Sequence, residues 1–281
     1  NIIVHAGEKP DLARHMVEQL SARTNGNSAN FTGPTDGSNY FRGWPTNTPN
    51  FWLSDVTNIL AMSQGRMDGL RVGSCANYLT PISSRICIAA AHTGGGEGTT
   101  SLWLLPDGGY YQNKVVSSLR PTNSGDIILM FMAKTNWTQV KIFPDAMSKF
   151  KYWRQANASN TVPVFIRFHQ GIGRTNEFHS TFVCGSSGPG FFGHIASQFE
   201  FGDYSRGDFW VPGDSSGAAY GIVNDEAALV CVASSSTSGT PIAQFTNQIN
   251  AAMAALCASN GVPVEKLTLY DLSGFQDYPA Q

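Results

Sequence analysis

The sequence predicts an all-β fold from three observations: its composition, its short apolar runs, and the turn residues that separate them. The 281-residue chain is 42% hydrophobic and 14% charged, and it contains 29 glycines and 14 prolines. Apolar runs of five or six residues, such as residues 86–90 and 127–132, have the length of strands rather than helices. A chain of this size buries about three quarters of the surface that it exposes when unfolded, which suits one or two domains.

The first 50 residues are predicted to form one helix followed by an extended arm. A helix is expected from Lys9 to about Arg23, because apolar residues recur on one helical face, namely Leu12, Met16 and Leu20. Residues 27–50 are rich in Gly, Pro and Asn with interspersed aromatic residues. We expect this segment to lie over the body of the protein as an ordered arm.

Two groups of strands are predicted in the middle of the chain, joined by a packed connection over residues 133–160. Strands of the first group are expected near residues 56–62, 86–90, 101–105, 114–119 and 127–132. In the second group, residues 162–169 pair with 177–183 around a turn at 171–173, and residues 218–223 pair with 227–233 around Asn224 and Asp225. The first of these hairpins should bring His169 and His179 opposite each other, as cross-strand neighbours rather than metal ligands.

The C-terminal part is predicted to form a helix and a tail. Thr240 as the N-cap and Pro241 at the first helical position should begin the helix, and Gly261 should end it. Five apolar residues at helical spacing are expected to face the core: Ile242, Phe245, Ile249, Met253 and Leu256. In the tail, residues 267–270 are a candidate short strand. Three aromatic residues are expected to anchor the tail by packing: Tyr270, Phe275 and Tyr278.

The segment Gly213-Asp214-Ser215-Ser216-Gly217 predicts an exposed serine at a tight turn. A serine becomes a nucleophile only when a base takes its proton and a carboxylate orients that base. The same glycine spacing occurs in α/β-hydrolases, but there the histidine follows the serine. All six histidines precede Ser215 in this chain. The order of residues therefore excludes the α/β-hydrolase fold.

Two residues upstream of Ser215 suit the roles of base and orienting carboxylate. His92 ends an apolar, strand-like run and is followed by a glycine-rich loop, so it should lie at the end of a strand. Asp126 directly precedes residues 127–132, at the mouth of a buried strand. Taken singly, a turn serine, a strand-end histidine and a turn aspartate are usually structural. Their occurrence together in this order favours a catalytic triad.

Three segments resemble the signature segments of chymotrypsin-like (trypsin-fold) serine proteases: Ala90-Ala91-His92, Asp126-Ile127-Ile128-Leu129 and Gly213-Asp214-Ser215. The resemblance covers roughly residues 50–240. It implies two six-stranded antiparallel β-barrels with the active site in the cleft between them, and a serine endopeptidase that acts on polypeptides without a cofactor or metal. The implied organisation is an N-terminal helix and arm (1–50), a first barrel with His92 and Asp126 (51–132), a connection (133–160), a second barrel with Ser215 (161–239), and a C-terminal helix and tail (240–281).

The resemblance also implies a role for each site residue. Ser215 would attack the scissile carbonyl, His92 would act as base and then as acid, and Asp126 would fix the imidazole tautomer. The backbone N–H groups of Gly213 and Ser215 would form the oxyanion hole. The chain departs from the family pattern at Ser216, where the family usually has glycine, and at Thr93, where the animal enzymes have a disulfide-bonded cysteine.

The substrate pocket implied by the resemblance has its floor at Phe209 beside Trp210, with Ser234 and Ser235 along one wall. An aromatic floor favours small or aliphatic substrate side chains. A shift of one residue would place Asp208 there and favour Arg or Lys instead. The alternative is that both aromatic residues belong to the core and lie away from the pocket.

Net charge, hydropathy and cysteine content limit which partners, membrane segments and metal sites the chain could have. A formal net charge of −2 argues against nucleic acid or an anionic membrane as a partner. No run approaches the 18 or so apolar residues that a membrane-spanning helix needs. Five cysteines leave at least one unpaired and show no metal-type spacing. A secreted or virion-associated location is favoured, and the sequence does not indicate an oligomeric state.

Two other functions remain open at this point. One is a catalytically inactive structural or binding protein that has kept the fold, for example in a virus particle. The other is a self-processing protease that releases itself from a longer precursor. Both have the same fold as the endopeptidase, and they differ from it in whether Ser215 reacts and with which substrate.

Overall fold

The computed structural model describes residues 8–24, 56, 58, 65–68, 78–93, 96–104, 110–136, 138–145, 147–149, 161–169, 176–185, 192–195, 215–234 and 239–279. Within these residues the regular structure consists of thirteen strands, two α-helices and three short 3-10 turns. This mostly stranded structure agrees with the predicted all-β class.

The strands are numbered in chain order. They are β1 Gly65–Asp68, β2 Tyr78–Pro81, β3 Ile86–Ala90, β4 Thr100–Leu104, β5 Tyr110–Leu119, β6 Ile127–Met132, β7 Lys141–Ile142, β8 Thr161–His169, β9 Asn176–Gly185, β10 Phe192–Ile195, β11 Ala218–Val223, β12 Glu226–Ala233 and β13 Gly239–Pro241. The α-helices are α1 Leu12–Thr24 and α2 Thr246–Ser259, and the 3-10 turns are Ala91–Thr93, Met147–Lys149 and Ala243–Phe245.

The first six strands form one antiparallel sheet that closes on itself. They pair in the order β1-β2-β3-β6-β5-β4, and β4 pairs back with β1. Strands β3 and β6 have the predicted boundaries, and β4 and β5 begin one and four residues before the predicted ones. The pairing of β3 with β6 runs without a break from Ile86–Phe131 to Ala90–Ile127. This pairing positions the two segments that carry His92 and Asp126.

Strands β3 and β6 are apolar throughout because every residue in both is buried. Residues on one face pack together with β4 and β5, including Cys87, Ala89, Ile128, Met130, Trp103 and Val115. Residues on the opposite face pack against α2 and the second sheet, including Ile86, Ile88, Ile127, Leu129, Ile249 and Met253. A strand covered on both faces shows no alternation of polar and apolar residues.

The predicted strand at residues 56–62 is wrong at the two positions that the structure describes. Val56 lies in a bend and Asn58 in a turn, and Asn58 has a φ of +64°, which an extended strand does not adopt. The Asn58 side chain instead bonds the backbone of Ala227, at 3.3 Å to both its N and its O. Strands β1 and β2, which were not predicted, lie between β4 and β3 in the first sheet.

The second sheet has seven strands in the order β11-β8-β9-β10-β13-β12-β7, with β11 also paired to β12. The hairpin between β11 and β12 forms as predicted. Asn224 and Asp225 have φ values of +49° and +60°, the conformation that a two-residue type I′ turn requires. Strand β7 pairs in parallel with β12, so the segment predicted as a connection contributes a short strand.

The hairpin of β8 and β9 also forms, but the predicted pairing of its histidines is wrong. The register places His169 opposite Asn176 and His179 opposite Ile166. The two histidines are therefore not cross-strand neighbours. The residue opposite His169 is Asn176, three positions before His179. The turn between these strands lies outside the described residues.

Helix α1 forms with the predicted apolar face, begins at Leu12 rather than Lys9, and packs on the second sheet. Leu12, Met16 and Leu20 are at most 1% exposed. Leu12 and Met16 belong to an apolar cluster that also contains residues of β11, β12 and the C-terminal tail. At the end of the helix, Arg23 Nη2 lies 2.6 Å from Asp225 Oδ1 in the β11–β12 turn. Burial of this face, rather than the ion pair of an exposed Asp225, holds the helix in place.

The predicted start of the C-terminal helix is wrong, whereas its inward face and its end are confirmed. Thr240 pairs with Val232 in β13, and α2 begins six residues later. Backbone pairing with β12 therefore prevails over the cap signal of Thr240. Gly261 ends the helix with a φ of +65°. The apolar residues Ile249, Met253 and Leu256 are buried, as are Ile242 just before the helix and, in part, Phe245.

The C-terminal tail is attached along both sheets. Leu269 forms an isolated parallel bridge with Ile142 of β7, so the candidate strand at residues 267–270 is limited to one paired residue. The carboxylate of Glu265 accepts hydrogen bonds from the hydroxyls of Ser83 and Ser84 and from Arg85 N. As predicted, aromatic residues anchor the tail: Tyr270 and Phe275 are buried, and the Tyr278 hydroxyl bonds the carboxylate of Asp11.

Gly239 in β13 is expected to tolerate no larger residue. A Cβ at this position would lie 2.9 Å from Cys231 Sγ and 2.9 Å from Val232 O. Because the carbonyl belongs to the backbone of β12, Gly239→Ala should lower the free energy of unfolding by about 1–3 kcal/mol, measured by urea denaturation. The control is Gly274→Ala, where a Cβ meets nothing within 4 Å and where we expect a change below about 0.5 kcal/mol. Equal losses in the two variants would contradict this prediction.

Candidate active site

His92 and Asp126 are brought together by the pairing of β3 with β6. His92 lies in the 3-10 turn that follows β3, and Asp126 directly precedes β6. The last pair of the ladder is Ala90–Ile127, and one residue further Ala91 N donates to Asp126 O at 3.1 Å. In an antiparallel pair, the residue after one strand therefore meets the residue before the other.

Ser215 lies in the turn that precedes β11. Backbone bonds to β12 hold this turn, because Ser216 N donates to Ala233 O at 2.9 Å and Ala233 N donates to Gly217 O at 2.7 Å. The serine is thus positioned by the second sheet, whereas the histidine and the aspartate are positioned by the first. The three side chains meet where the two sheets adjoin.

The three side chains form one hydrogen-bonded line. Ser215 Oγ lies 2.7 Å from His92 Nε2, and His92 Nδ1 bonds Asp126 Oδ2. The second carboxylate oxygen, Oδ1, accepts a hydrogen bond of 2.9 Å from His92 N. A carboxylate accepts but does not donate, so the imidazole proton resides on Nδ1. The lone pair on Nε2 therefore faces the serine hydroxyl.

The site is open to solvent at the histidine. The side chains of His92 and Asp126 are 45% and 28% exposed, respectively, and Ser215 is half-buried. The imidazole and the serine are therefore both partly accessible, so that a carbonyl group could approach the serine oxygen.

Two polar side chains that sequence reasoning missed support the turn around His92. Arg120 Nη2 donates to Ala91 O at 2.7 Å, and Thr93 Oγ1 donates to Ala90 O at 2.6 Å. Both carbonyls belong to the two residues that directly precede the histidine. The only signal for Thr93 was its position after the histidine, and no pattern in the sequence indicated Arg120.

The neighbouring serine, Ser216, differs from Ser215 in its exposure and in the hydrogen bonds of its hydroxyl. It is 1% exposed, its φ is +69°, and its hydroxyl accepts a hydrogen bond from Ala90 N at 2.8 Å. Thr93 Oγ1 lies 3.2 Å from the same oxygen. Of the two adjacent serines, Ser215 is the one on the imidazole and Ser216 is directed at the end of β3.

The remaining predicted site residues are described only in part. Gly213, Phe209, Trp210 and Ser235 lie outside the described residues, so their assignment to an oxyanion hole or a substrate pocket stays a prediction. Ser234 is half-buried in the bend that directly follows β12.

Burial makes the described thiols poor candidates for a nucleophile. Cys87, Cys231 and Cys257 are free and buried. Burial raises the pKa of the Cys87 thiol far above its usual range and raises the pKa of the Cys231 thiol to about 12. A buried thiol that stays protonated neither attacks a carbonyl nor binds a metal readily. Among these groups, the serine line is therefore the better candidate for a reactive arrangement.

Two further observations concern modification and membranes. Asn136, in an Asn-Trp-Thr sequence, is 9% exposed, and its amide donates to Ser83 O at 3.0 Å, so the folded chain does not present it for glycosylation. None of the described helices is long and apolar enough to cross a bilayer.

Comparison of the chain with protein-family models and with curated proteins found no match in either case. Function is therefore inferred from the side chains themselves. The relevant geometry is the line from Ser215 through His92 to Asp126, together with the supports around it.

Proposed function

We propose that the protein is a serine endopeptidase that hydrolyses peptide bonds through an acyl-enzyme, without a cofactor or metal. One observation carries this proposal: Ser215 Oγ lies 2.7 Å from His92 Nε2, while the Asp126 carboxylate bonds the other ring nitrogen. These residues come from three separate segments of the chain. A nucleophile, a base and an orienting carboxylate in this sequence of contacts are the parts that acyl transfer needs.

The first half of the reaction forms the acyl-enzyme. As Ser215 Oγ attacks the scissile carbonyl carbon, His92 Nε2 takes the hydroxyl proton and the carbonyl oxygen becomes negatively charged. The Asp126 carboxylate stabilises the resulting imidazolium and keeps its Nδ1 proton in place. When the tetrahedral intermediate collapses, His92 gives its Nε2 proton to the leaving amine. The C–N bond breaks, and the acyl group remains on Ser215.

The second half repeats these steps with water. His92 takes a proton from water, the hydroxide adds to the acyl carbon, and the Ser215 Oγ–carbon bond then breaks as His92 returns a proton to the serine. In the proposed site, the N–H groups of Gly213 and Ser215 stabilise the oxyanion in both halves. Loss of one such donor typically costs about 3 kcal/mol of transition-state stabilisation.

We assign substrate recognition to the segments on either side of β11 and β12. Phe209 and Trp210 would form the floor of the primary pocket, and Ser234 and Ser235 one wall. The position of Ser234 supports this assignment, because it directly follows β12, the strand that holds the turn of Ser215. An aromatic floor would favour small or aliphatic side chains before the cleaved bond.

The same proposal includes the finer architecture, two six-stranded antiparallel barrels of the chymotrypsin type. The pairing of β11 with β12 supports it, since this contact links the two ends of the run β11-β8-β9-β10-β13-β12. Strand β7 then lies outside the second barrel as an addition. Barrels within residues 51–132 and 161–239 would place the triad in the cleft between them.

A fluorophosphonate probe tests the proposed nucleophile directly. The probe phosphonylates an activated serine, and mass spectrometry of the digested adduct should place the label on Ser215. Ser215→Ala should abolish labelling, because no other described hydroxyl lies on the imidazole. The control is Ser118→Ala, which changes an exposed serine of β5 and should leave labelling unchanged. A label on a residue other than Ser215 would defeat the assignment.

The same experiment separates the other two functions. A folded protein that neither takes up the probe nor cleaves a peptide library would favour a non-catalytic structural or binding protein. A self-processing protease would label at Ser215, and a longer precursor would stay uncut only when it carries Ser215→Ala. Cleavage of unrelated peptides that disappears with Ser215→Ala supports the endopeptidase.

A further inference from the structure

We propose that Ser216 is a positioning residue for the proposed peptidase. Through its buried hydroxyl it holds the end of β3, and with it His92, against the turn that carries Ser215. The inference rests on the proposed function, because it concerns how the nucleophile and the base are kept in register. The chymotrypsin-like family that the sequence resembles usually has glycine at this position, and the inference gives the serine a role there.

The hydroxyl of Ser216 accepts a hydrogen bond from a backbone N–H, that of Ala90, which is not paired within the described part of the sheet. Ala91 N donates to Asp126 O of the neighbouring segment, so the N–H of Ala90 is directed to the opposite side of β3. On that side, the pairing of β3 with β2 among the described residues reaches only Ile88. Ser216 Oγ accepts the Ala90 N–H at 2.8 Å in a buried position, where an unpaired donor is costly.

Thr93 completes a closed ring of three hydrogen bonds. Its hydroxyl proton goes to Ala90 O at 2.6 Å. At the 3.2 Å contact between Thr93 Oγ1 and Ser216 Oγ, the proton must therefore come from Ser216. The ring runs from Ala90 N–H to Ser216, from Ser216 to Thr93, and from Thr93 back to Ala90 O. The single proton of Ser216 is used within the ring, so this serine is not the nucleophile.

The ring joins the segment that carries His92 to the turn that carries Ser215. Ser216 follows the nucleophile directly, and its N–H is bonded to Ala233 O of β12. Ala90 and Thr93 lie two residues before and one residue after His92. The distance between the imidazole and the serine oxygen is thus set by contacts besides the catalytic hydrogen bond itself.

The backbone conformation of Ser216 supports a role for its side chain. Its φ of +69° is one that glycine adopts freely and that a residue with a Cβ adopts at a cost. A strained residue persists where the surrounding structure holds it, and such positions cluster at functional sites. The hydrogen-bonding of the hydroxyl gives a physical reason for serine at this position.

Two substitutions separate the effect of the Ser216 hydroxyl from the effect of its strained backbone conformation. Ser216→Ala removes the hydroxyl and keeps the strain, whereas Ser216→Gly removes both. If the hydroxyl positions the base, kcat for peptide hydrolysis should fall by about 100-fold in both variants, and KM should change by less than about twofold. The glycine variant should melt about 2 °C above the alanine variant, because its backbone is relaxed. Stability should therefore differ between the two variants, whereas kcat should be lowered equally in both.

A purely structural role predicts a different result. Activity would then follow stability, and Ser216→Gly would have the kcat of the unmodified protein. That outcome overturns the inference while the proposed function stands. Failure of the unmodified protein to label at Ser215 or to cleave peptides would instead overturn the proposed function. The two failures are thus distinguishable.

Thr93→Val provides a second route should a Ser216 variant fail to fold. It removes the hydroxyl that closes the ring and nearly preserves the shape of the side chain. We expect kcat to fall by about tenfold, with KM unchanged, and we expect the effects of Thr93→Val and Ser216→Ala not to multiply in the double variant. A Thr93→Val protein with unchanged kcat, or a double variant whose losses multiply, would contradict the ring.

Discussion

Replacement of His92 by alanine is expected to lower kcat for peptide hydrolysis by about 10⁵- to 10⁶-fold. In the proposed mechanism the imidazole takes the proton of Ser215, and without it the hydroxyl stays a weak nucleophile. The side chain is 45% exposed, so its removal leaves no core cavity and should change the unfolding midpoint little. The measurement is kcat on a peptide found by library screening, with circular dichroism to verify the fold.

Two comparisons make the His92 result specific. His92→Ala combined with Ser215→Ala should be no less active than either single variant, since the residues act as a unit. His15→Ala is the matched control. This histidine lies on α1, where its Nε2 accepts a hydrogen bond of 3.3 Å from Asn224 N. It should change stability and leave kcat within about twofold.

A His92→Ala protein that keeps more than about one hundredth of the kcat would contradict the triad. So would losses in the two single variants that multiply in the double variant, because independent residues behave in that way. In either case the line of hydrogen bonds would be a polar contact between the two sheets rather than catalytic machinery.

Replacement of Phe275 by alanine is expected to lower the free energy of unfolding by about 3–4 kcal/mol. Phe275 is 5% exposed and packs in the cluster that joins α1, β11, β12 and the tail. Its ring centroid lies 5.2 Å from that of His15. Its carbonyl also accepts a hydrogen bond of 2.8 Å from Lys149 Nζ, which the substitution leaves in place. The loss therefore reports on packing of the ring.

Leu269→Ala serves as the control for Phe275→Ala. Leu269 belongs to the same tail, but it is 44% exposed, and only its backbone takes part in the bridge with Ile142. We expect a loss below about 0.5 kcal/mol. Urea denaturation measures both variants. A loss below about 1 kcal/mol for Phe275→Ala would show that the tail unfolds separately from the two sheets.

Long or strongly patterned elements were predictable from the chain alone. The period of Leu12, Met16 and Leu20 indicates α1, because a helix on a sheet must bury one stripe. The unbroken apolar runs of β3 and β6 indicate strands covered on both faces. The turn residues Asn224 and Asp225 mark the hairpin of β11 and β12 because they tolerate positive φ.

Short elements were not predictable in the same way. Strands β1, β2, β7 and β13 have two to four residues each, too few for a pattern to emerge. Their conformation is set by pairing with other strands, such as β12, which pairs with both β7 and β13. The cap signal of Thr240 was overridden for the same reason, since pairing with Val232 uses its backbone.

The amino-acid sequence by itself determined which groups are available: a histidine at the end of one apolar run, an aspartate before another, and two adjacent serines between glycines. Only the tertiary structure decided which serine lies on the imidazole and which bonds the end of β3. The physical reason is that hydrogen bonds of 2.7–2.8 Å depend on how two sheets approach each other, whereas residue spacing records only local conformation.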